Sequence, residues 1–191
     1  MRGFCCLCGR AQRHNPTAKM QFTIPHNKIE EVENMVTYYG KTWLEACRDK
    51  MNSTEGHLKK AKKLNGRFCF RVYDGPDGKD RTSDWTFENG RCTQVLFGIG
   101  CAPWMEVRES TLEEGYIGRF SCPFEMMARL NRGEISPLKA LASPDYEVEG
   151  KKSLLFKMMQ GINSWNEHNA LVECNYDFTT TDDEGNEVEG A

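Results

Sequence analysis

The chain has 191 residues, a length typical of one globular domain with room for flexible ends. Hydrophobic residues make up 39% and charged residues 28%, which excludes a wholly disordered chain. No apolar run approaches the ~20 residues that a membrane-spanning helix needs. The net charge of −3 is uneven, with +4 in residues 1–19 and −7 in residues 173–191, so the middle of the chain is neutral. This argues against a nucleic-acid partner, which requires a basic surface.

The nine cysteines are odd in number and mostly isolated, and no apolar signal segment follows the N-terminal basic residues. We therefore expect a reduced, cytoplasmic protein with buried thiols. Cys5 and Cys8, with His14 behind them, could supply half of a zinc site, but structural zinc sites usually take two such pairs. We predict no metal site and interpret residues 1–27 as a disordered N-terminal extension.

The first predicted helix covers residues 28–39, where apolar side chains recur every three or four positions, and helix resumes through Trp43 and Cys47. A short basic helix follows over residues 58–64. Its lysines form a solvated face by default. A transient contact with an anionic membrane surface is the alternative, since each basic residue near such a surface adds ~1 kcal/mol. These lysines are Lys59, Lys60, Lys62 and Lys63.

Alternating apolar and polar residues then predict a run of strands. In the first of them, Phe68, Phe70 and Val72 share one face. Asn89-Gly90 between two such runs is typical of a tight hairpin. The predicted strands cover residues 67–73, 84–88, 91–97, 104–108 and 116–120.

The last third of the chain returns to helical spacing. The predicted elements are a helix over residues 124–130 that Gly133 ends, a short helix from Pro137, a strand over residues 146–150, a helix over residues 151–165, an edge strand over residues 170–177 and a disordered acidic tail. This order predicts an α+β fold with helices packed on one face of a mainly antiparallel sheet.

No pattern typical of catalysis is present. The four histidines are far apart in the sequence, and the glycine motifs that bind dinucleotides or phosphates are absent. An enzyme would need, for example, Cys122 or Cys174 beside a histidine. We therefore predict no catalytic residues, no cofactor and no enzymatic activity.

Four methionines lie in two of the predicted helices: Met126, Met127, Met158 and Met159. Methionine at helical spacing usually belongs to a rigid core. Thioether side chains also repack easily around apolar ligands of variable shape, so a ligand cavity is the second interpretation.

Four segments occur in an order that resembles the sterol carrier protein 2 (sterol-transfer) family. They are LKKAKKLNGRFCF at residues 58–70, WTFENG at residues 85–90, LNRGEISPLKA at residues 130–140 and YEVEG at residues 146–150. The pattern of Gly133, Pro137 and Gly150 is the most specific part of the resemblance. Residues 98–118 form a longer link than the family has, and the tail after Trp165 is extra.

The resemblance implies a five-stranded sheet with helices over it that enclose a hydrophobic tunnel. The lipid-binding domain would cover residues 28–168, with an edge strand and acidic tail over residues 169–191. The implied function is non-catalytic binding or carriage of a sterol, fatty acid or fatty acyl-CoA. The alternative is an interaction or accessory module of the same fold that partners a lipid-metabolising enzyme. The expected ligand-binding residues are Phe97, Trp104, Phe124, Met127, Leu130, Leu138, Leu141, Leu155, Met158, Met159 and Ile162.

Overall fold

The computed structural model describes residues 35–176 and residue 178. The predictions for the N-terminal extension, for the Cys5 and Cys8 pair, for the start of the first helix and for the acidic tail lie outside these residues. The described elements are, in chain order, α1 (Lys41–Ser53), α2 (Glu55–Lys60), β1 (Gly66–Tyr73), β2 (Lys79–Glu88), β3 (Arg91–Cys101), α3 (Met105–Arg108), β4 (Tyr116–Pro123), α4 (Phe124–Asn131), α5 (Pro137–Leu141), β5 (Glu147–Gly150) and α6 (Lys152–Asn169).

The five strands form one sheet in the order β3-β2-β1-β4-β5. All neighbouring strands are antiparallel except β1 and β4, which are parallel. Asn89 and Gly90 both have positive φ angles (52° and 85°), as the tight turn between β2 and β3 requires. The predicted α+β class with a five-stranded, mainly antiparallel sheet is confirmed.

One face of the sheet is apolar and carries the main core. Phe68 and Phe70 of β1 lie beside Trp85 of β2 and Phe120 of β4, as the alternation predicts. Trp165 of α6 packs onto this surface, with ring-centroid distances of 5.9 Å to Phe68, 5.2 Å to Phe70 and 5.1 Å to Trp85. The edge-to-face geometry of these rings stabilises the packing beyond the area that they bury. The core therefore lies between the sheet and the helical layer.

The opposite face of the sheet is polar and is covered by the segment between β3 and β4. Arg71 of β1 is buried there and donates to the carbonyl oxygens of Val107 at 2.8 Å and Arg108 at 3.1 Å. Arg119 of β4 donates to Glu149 of β5 at 2.6 Å. This part of the long 98–118 link is therefore bound to the molecule's own sheet.

The strand predicted over residues 104–108 is wrong, because Met105–Arg108 form the short helix α3. Tertiary contacts of Asp80 select this conformation. The Asp80 carboxylate accepts hydrogen bonds from the Trp104 N–H at 2.8 Å and from two nitrogens of Arg108, each at 2.7 Å. A strand could not bring Trp104 and Arg108 to one carboxylate, because the backbones of residues four positions apart in a strand are separated by about 13 Å.

The predicted helix over residues 28–39 is wrong in its described part, since residues 35–39 are not helical. Thr37 forms an isolated parallel bridge with Asn175, and Tyr39 has a φ of 58°. Within the described residues, the predicted edge strand over 170–177 reduces to this bridge. The short basic helix begins and ends earlier than predicted, at Glu55 and Lys60. The last helix runs one turn further than predicted, to Asn169.

Candidate functional site

A cavity of about 360 Å³ lies between the β4–β5 edge of the sheet and three helices, and it opens to solvent. The strands β4 and β5 form one wall, α4 and α5 contribute a second, and α6 lies across the cavity. Its volume falls in the range of about 300–1,000 Å³ that is typical of small-molecule sites. The lining residues are Phe120, Leu130, Pro137, Ala140, Leu141, Tyr146, Val148, Lys152, Leu155, Phe156, Met159, Ile162, Asn163 and Asn166.

Local sequence explains how each wall presents apolar side chains. Along α6, the positions of Lys152, Leu155, Met159 and Ile162 are three or four residues apart, so they share one helical face. Phe120 and Val148 are direct partners in the β4–β5 pairing and therefore lie side by side on the apolar face of the sheet.

The short helix α5 is positioned by its first residues. The Ser136 side chain accepts a hydrogen bond from the Lys139 N–H at 3.3 Å, and Pro137 occupies the first helical turn. Gly133, just before it, has the positive φ of 72° that ends α4. These residues bring Pro137, Ala140 and Leu141 to the cavity.

A smaller inner pocket of about 50 Å³ adjoins the cavity on its core side. The two spaces share Leu130, Pro137, Tyr146 and Asn166. The inner pocket is lined mostly by aromatic and amide side chains. Its other lining residues are Tyr38, Tyr39, Trp43, Phe70, Trp85, Met127, Asn131, Trp165 and Asn169.

Both spaces lack charge in their interior. Lys152 is the one Lys, Arg, Asp or Glu among the lining residues of the cavity, and the inner pocket has none. Burial raises the pKa of Tyr146 far above its usual value of 10, and it raises the pKa values of Tyr38 and Tyr39 in the same direction. All three phenols are therefore neutral at physiological pH, and the interior suits an uncharged guest.

The mouth of the cavity carries exposed apolar side chains. Leu138 is 78% exposed, Phe156 74% and Leu141 41%. Three large exposed hydrophobic residues on two neighbouring helices form an apolar rim, a feature that commonly marks an interaction site. Four exposed lysines lie on or next to the same two helices. They are Lys139 of α5, Lys151 just before α6, and Lys152 and Lys157 of α6.

The structure brings only part of the expected binding residues together. Five line the cavity: Leu130, Leu141, Leu155, Met159 and Ile162. Met127 lines the inner pocket, and Leu138 lies on the exposed rim. Phe124 and Met158 pack in or against the core instead.

The other two expected residues lie elsewhere. Phe97 lines a separate surface cavity with Leu44 and Val95 beside α1. Trp104 lies on the polar face of the sheet, against Gly98 and Gly100 of β3. Trp104 belongs to the segment that covers the polar face, and Phe97 lies on β3, at the edge of the sheet opposite β5.

Sequence reasoning missed Phe120, Tyr146, Val148 and Phe156 as lining residues. The signal for Phe120, Tyr146 and Val148 was present, because period-two alternation in the predicted strands indicates an apolar face. Phe156 occurs among the apolar residues of the last helix, but its position at the mouth depends on how that helix crosses the sheet.

Within the described residues, neither Cys122 nor Cys174 forms a hydrogen bond with a histidine. His57 contacts Ser164 at 3.1 Å and the Gly90 carbonyl at 3.1 Å, and His168 contacts the Ser164 carbonyl at 2.7 Å. Burial raises the pKa of the Cys122 thiol to about 12, so this thiol is un-ionised and a poor nucleophile. Among residues 35–176 and 178, no cluster of three or more metal-ligating side chains occurs. The same residues include no helix with the length and hydropathy to cross a bilayer.

Two solved structures show what fold this is. A crystal structure of sterol carrier protein 2 is 18% identical in sequence, with a TM-score of 0.58, and the match covers 71% of this chain and 98% of that one. A conserved protein of Thermus thermophilus, described as possibly a sterol carrier protein, is 18% identical, with a TM-score of 0.57 over 72% of this chain and 90% of its own. No protein-family model matches the sequence, and no curated protein shows significant sequence similarity. The chain thus has the fold of sterol carrier protein 2, as its sequence resemblance indicated.

Proposed function

We propose that this protein binds and carries a hydrophobic small molecule, such as a sterol, a fatty acid or a fatty acyl-CoA, without chemically changing it. The observation that carries the proposal is the cavity of about 360 Å³ with its predominantly apolar lining. A domain packed solid, as an interaction module of the same fold would be, has no need of such a space.

The binding energy follows from the area that the walls remove from water. A ligand that buries about 300 Å² of apolar surface gains about 7.5 kcal/mol from the hydrophobic effect, before the cost of association. Leu155, Met159 and Ile162 of α6 and Phe120 of β4 provide this surface. The site needs few polar anchors and no nucleophile.

The rim defines where a ligand would enter and leave. Leu138 and Phe156 can insert into the headgroup layer of a bilayer, while neighbouring lysines contact anionic lipids at about 1 kcal/mol each. We include transient contact with an anionic membrane surface in the proposal and assign it to the rim. The lysines of α2 are a weaker candidate, since Lys60 is paired with Glu167 at 3.1 Å.

Two measurements on the purified full chain test the carrier function. Native mass spectrometry, followed by solvent extraction, should detect a co-purified lipid, and a fluorescent fatty acid should bind saturably at one site per chain. A protein that contains no lipid and does not bind the fluorescent fatty acid saturably, while it melts cooperatively, would refute the proposal.

A further inference from the structure

The inner pocket contains a hydrogen-bond donor and an acceptor that no group of residues 35–176 or 178 satisfies. The Trp165 N–H and the Asn169 side-chain oxygen are both buried and without a partner. Both residues line this pocket of about 50 Å³. They are four residues apart on α6, so their side chains are neighbours on one face of the helix.

Several of the pocket's other polar groups already have partners. The Tyr38 hydroxyl donates to the Met127 carbonyl at 3.0 Å, and the Tyr39 hydroxyl contacts the Ser83 hydroxyl at 2.9 Å. Among the described residues, the Trp43 N–H has no oxygen partner, but it lies near the Cys174 sulfur, which is a weak hydrogen-bond acceptor. The Trp165 donor and the Asn169 acceptor are a buried donor and acceptor one helical turn apart, so a guest with a single hydroxyl could pair with both.

We propose that the inner pocket binds the hydroxyl head of a neutral amphiphile, with the hydrocarbon body extending into the larger cavity. A hydroxyl accepts one hydrogen bond and donates another, so it pairs with both Trp165 and Asn169. The pocket's volume exceeds the roughly 10–15 Å³ of probe-sized space that one water molecule needs, so a hydroxyl fits. This inference rests on the proposed carrier function and specifies its ligand class and orientation.

A carboxylate fits the inner pocket poorly. It only accepts hydrogen bonds, so it leaves the Asn169 oxygen unpaired and places a second oxygen beside it. The inner pocket also has no cation to offset the loss of hydration of a charged head. A charged amphiphile would instead be oriented with its head outward, near Lys152 of the outer cavity.

The test compares three probes that share one hydrocarbon chain: hexadecan-1-ol, its methyl ether and hexadecanoate. The ether accepts a hydrogen bond but cannot donate one. Each probe displaces a fluorescent alkyl ligand from the full-length protein at neutral pH. We expect the alcohol to bind about fivefold to tenfold more tightly than the ether, the usual effect of one hydrogen bond. The carboxylate is expected to bind more weakly than the alcohol.

Variants separate the pocket from the rest of the cavity. Asn169→Ala should abolish the preference for the alcohol over the ether while leaving the ether's affinity within about twofold, because the ether has no hydrogen to donate to the oxygen that the variant lacks. Asn163→Ala, an exposed position that lines only the outer cavity on the same helix, should keep the preference. Trp165→Phe should weaken binding of both the alcohol and the ether by removing the donor. A melting curve establishes that each variant is folded.

Equal affinities for alcohol and ether in the unmodified protein, or tighter binding of the carboxylate, would overturn the inference and leave the carrier function standing. A preference that survives in folded Asn169→Ala would overturn it as well. If none of the three probes displaces the fluorescent ligand and that ligand does not itself bind saturably, the carrier function and the inference both fail.

Discussion

Filling the cavity from α6 should block ligand uptake, and Met159→Trp is the sharpest way to do so. Met159 lines the cavity of about 360 Å³ and is half-buried. An indole is larger and far more rigid than a thioether chain, so it occupies space that the ligand needs. Met158, its neighbour, packs against the core and does not line the cavity, so Met159 alone carries this prediction.

The expected size of the effect follows from lost contact. If the indole excludes the ligand from about 100 Å² of apolar wall, binding weakens by about 2.5 kcal/mol. That loss corresponds to an increase in Kd of roughly 60-fold. The assay is displacement of a fluorescent fatty acid, with Kd measured at several protein concentrations.

The matched control is Gln160→Trp, which adds the same side chain at an exposed position of the same helix. It should leave Kd within about twofold, since an exposed indole touches no ligand. An unchanged Kd in a folded Met159→Trp protein would show that α6 does not border the binding site. The carrier proposal would then lose the wall on which it most depends.

Three further predictions concern stability. Burial lowers the pKa of His57 from its usual 6.5. The protein should therefore have its full stability above about pH 6.5, and the free energy of unfolding should decrease at lower pH by up to about 1.4 kcal/mol per pH unit. Urea unfolding midpoints measured from about pH 5 to 7.5 would show this. Asp80→Asn should cost about 1.5–3 kcal/mol of unfolding free energy, because Arg108 loses the carboxylate that binds it through two nitrogens and keeps only its pair with the exposed Asp74. Gly150→Ala should cost about 2 kcal/mol or more, since this residue has a φ of 113° and an added Cβ would overlap the Ile117 carbonyl.

Each of these predictions has a control. His57→Gln should remove the excess acid sensitivity, so an equally steep loss of stability in that variant would assign the effect to other groups. Asp49→Asn should cost no more than about 1 kcal/mol, because its ion pair with Arg48 is exposed. Gly133 has a φ of 72° but open space around it, so Gly133→Ala should cost less than Gly150→Ala. Equal costs in either pair would contradict the packing described.

Most of the local elements could be predicted from the amino-acid pattern alone. The alternation of Phe68, Phe70 and Val72 identified β1 and its buried face, and Asn89-Gly90 identified the hairpin between β2 and β3. These signals are local, because side-chain direction repeats every two residues in a strand and about every 3.6 in a helix. The prediction of a five-stranded sheet came from the family resemblance. Local sequence patterns could not supply it, because β1 and β4 pair although they are far apart in the chain.

Which surface each apolar face packs against became known only from the three-dimensional structure. Met158 and Met159 are adjacent in the sequence and chemically identical, yet one packs against the core and the other lines the cavity. Trp104 was expected in the ligand site and lies on the opposite face, where Asp80 binds the backbone of its segment. These outcomes depend on contacts between residues far apart in the chain. Sequence periodicity indicates that one face of a helix or strand will be buried. The surface against which that face packs depends on the free energy of contacts between distant parts of the chain.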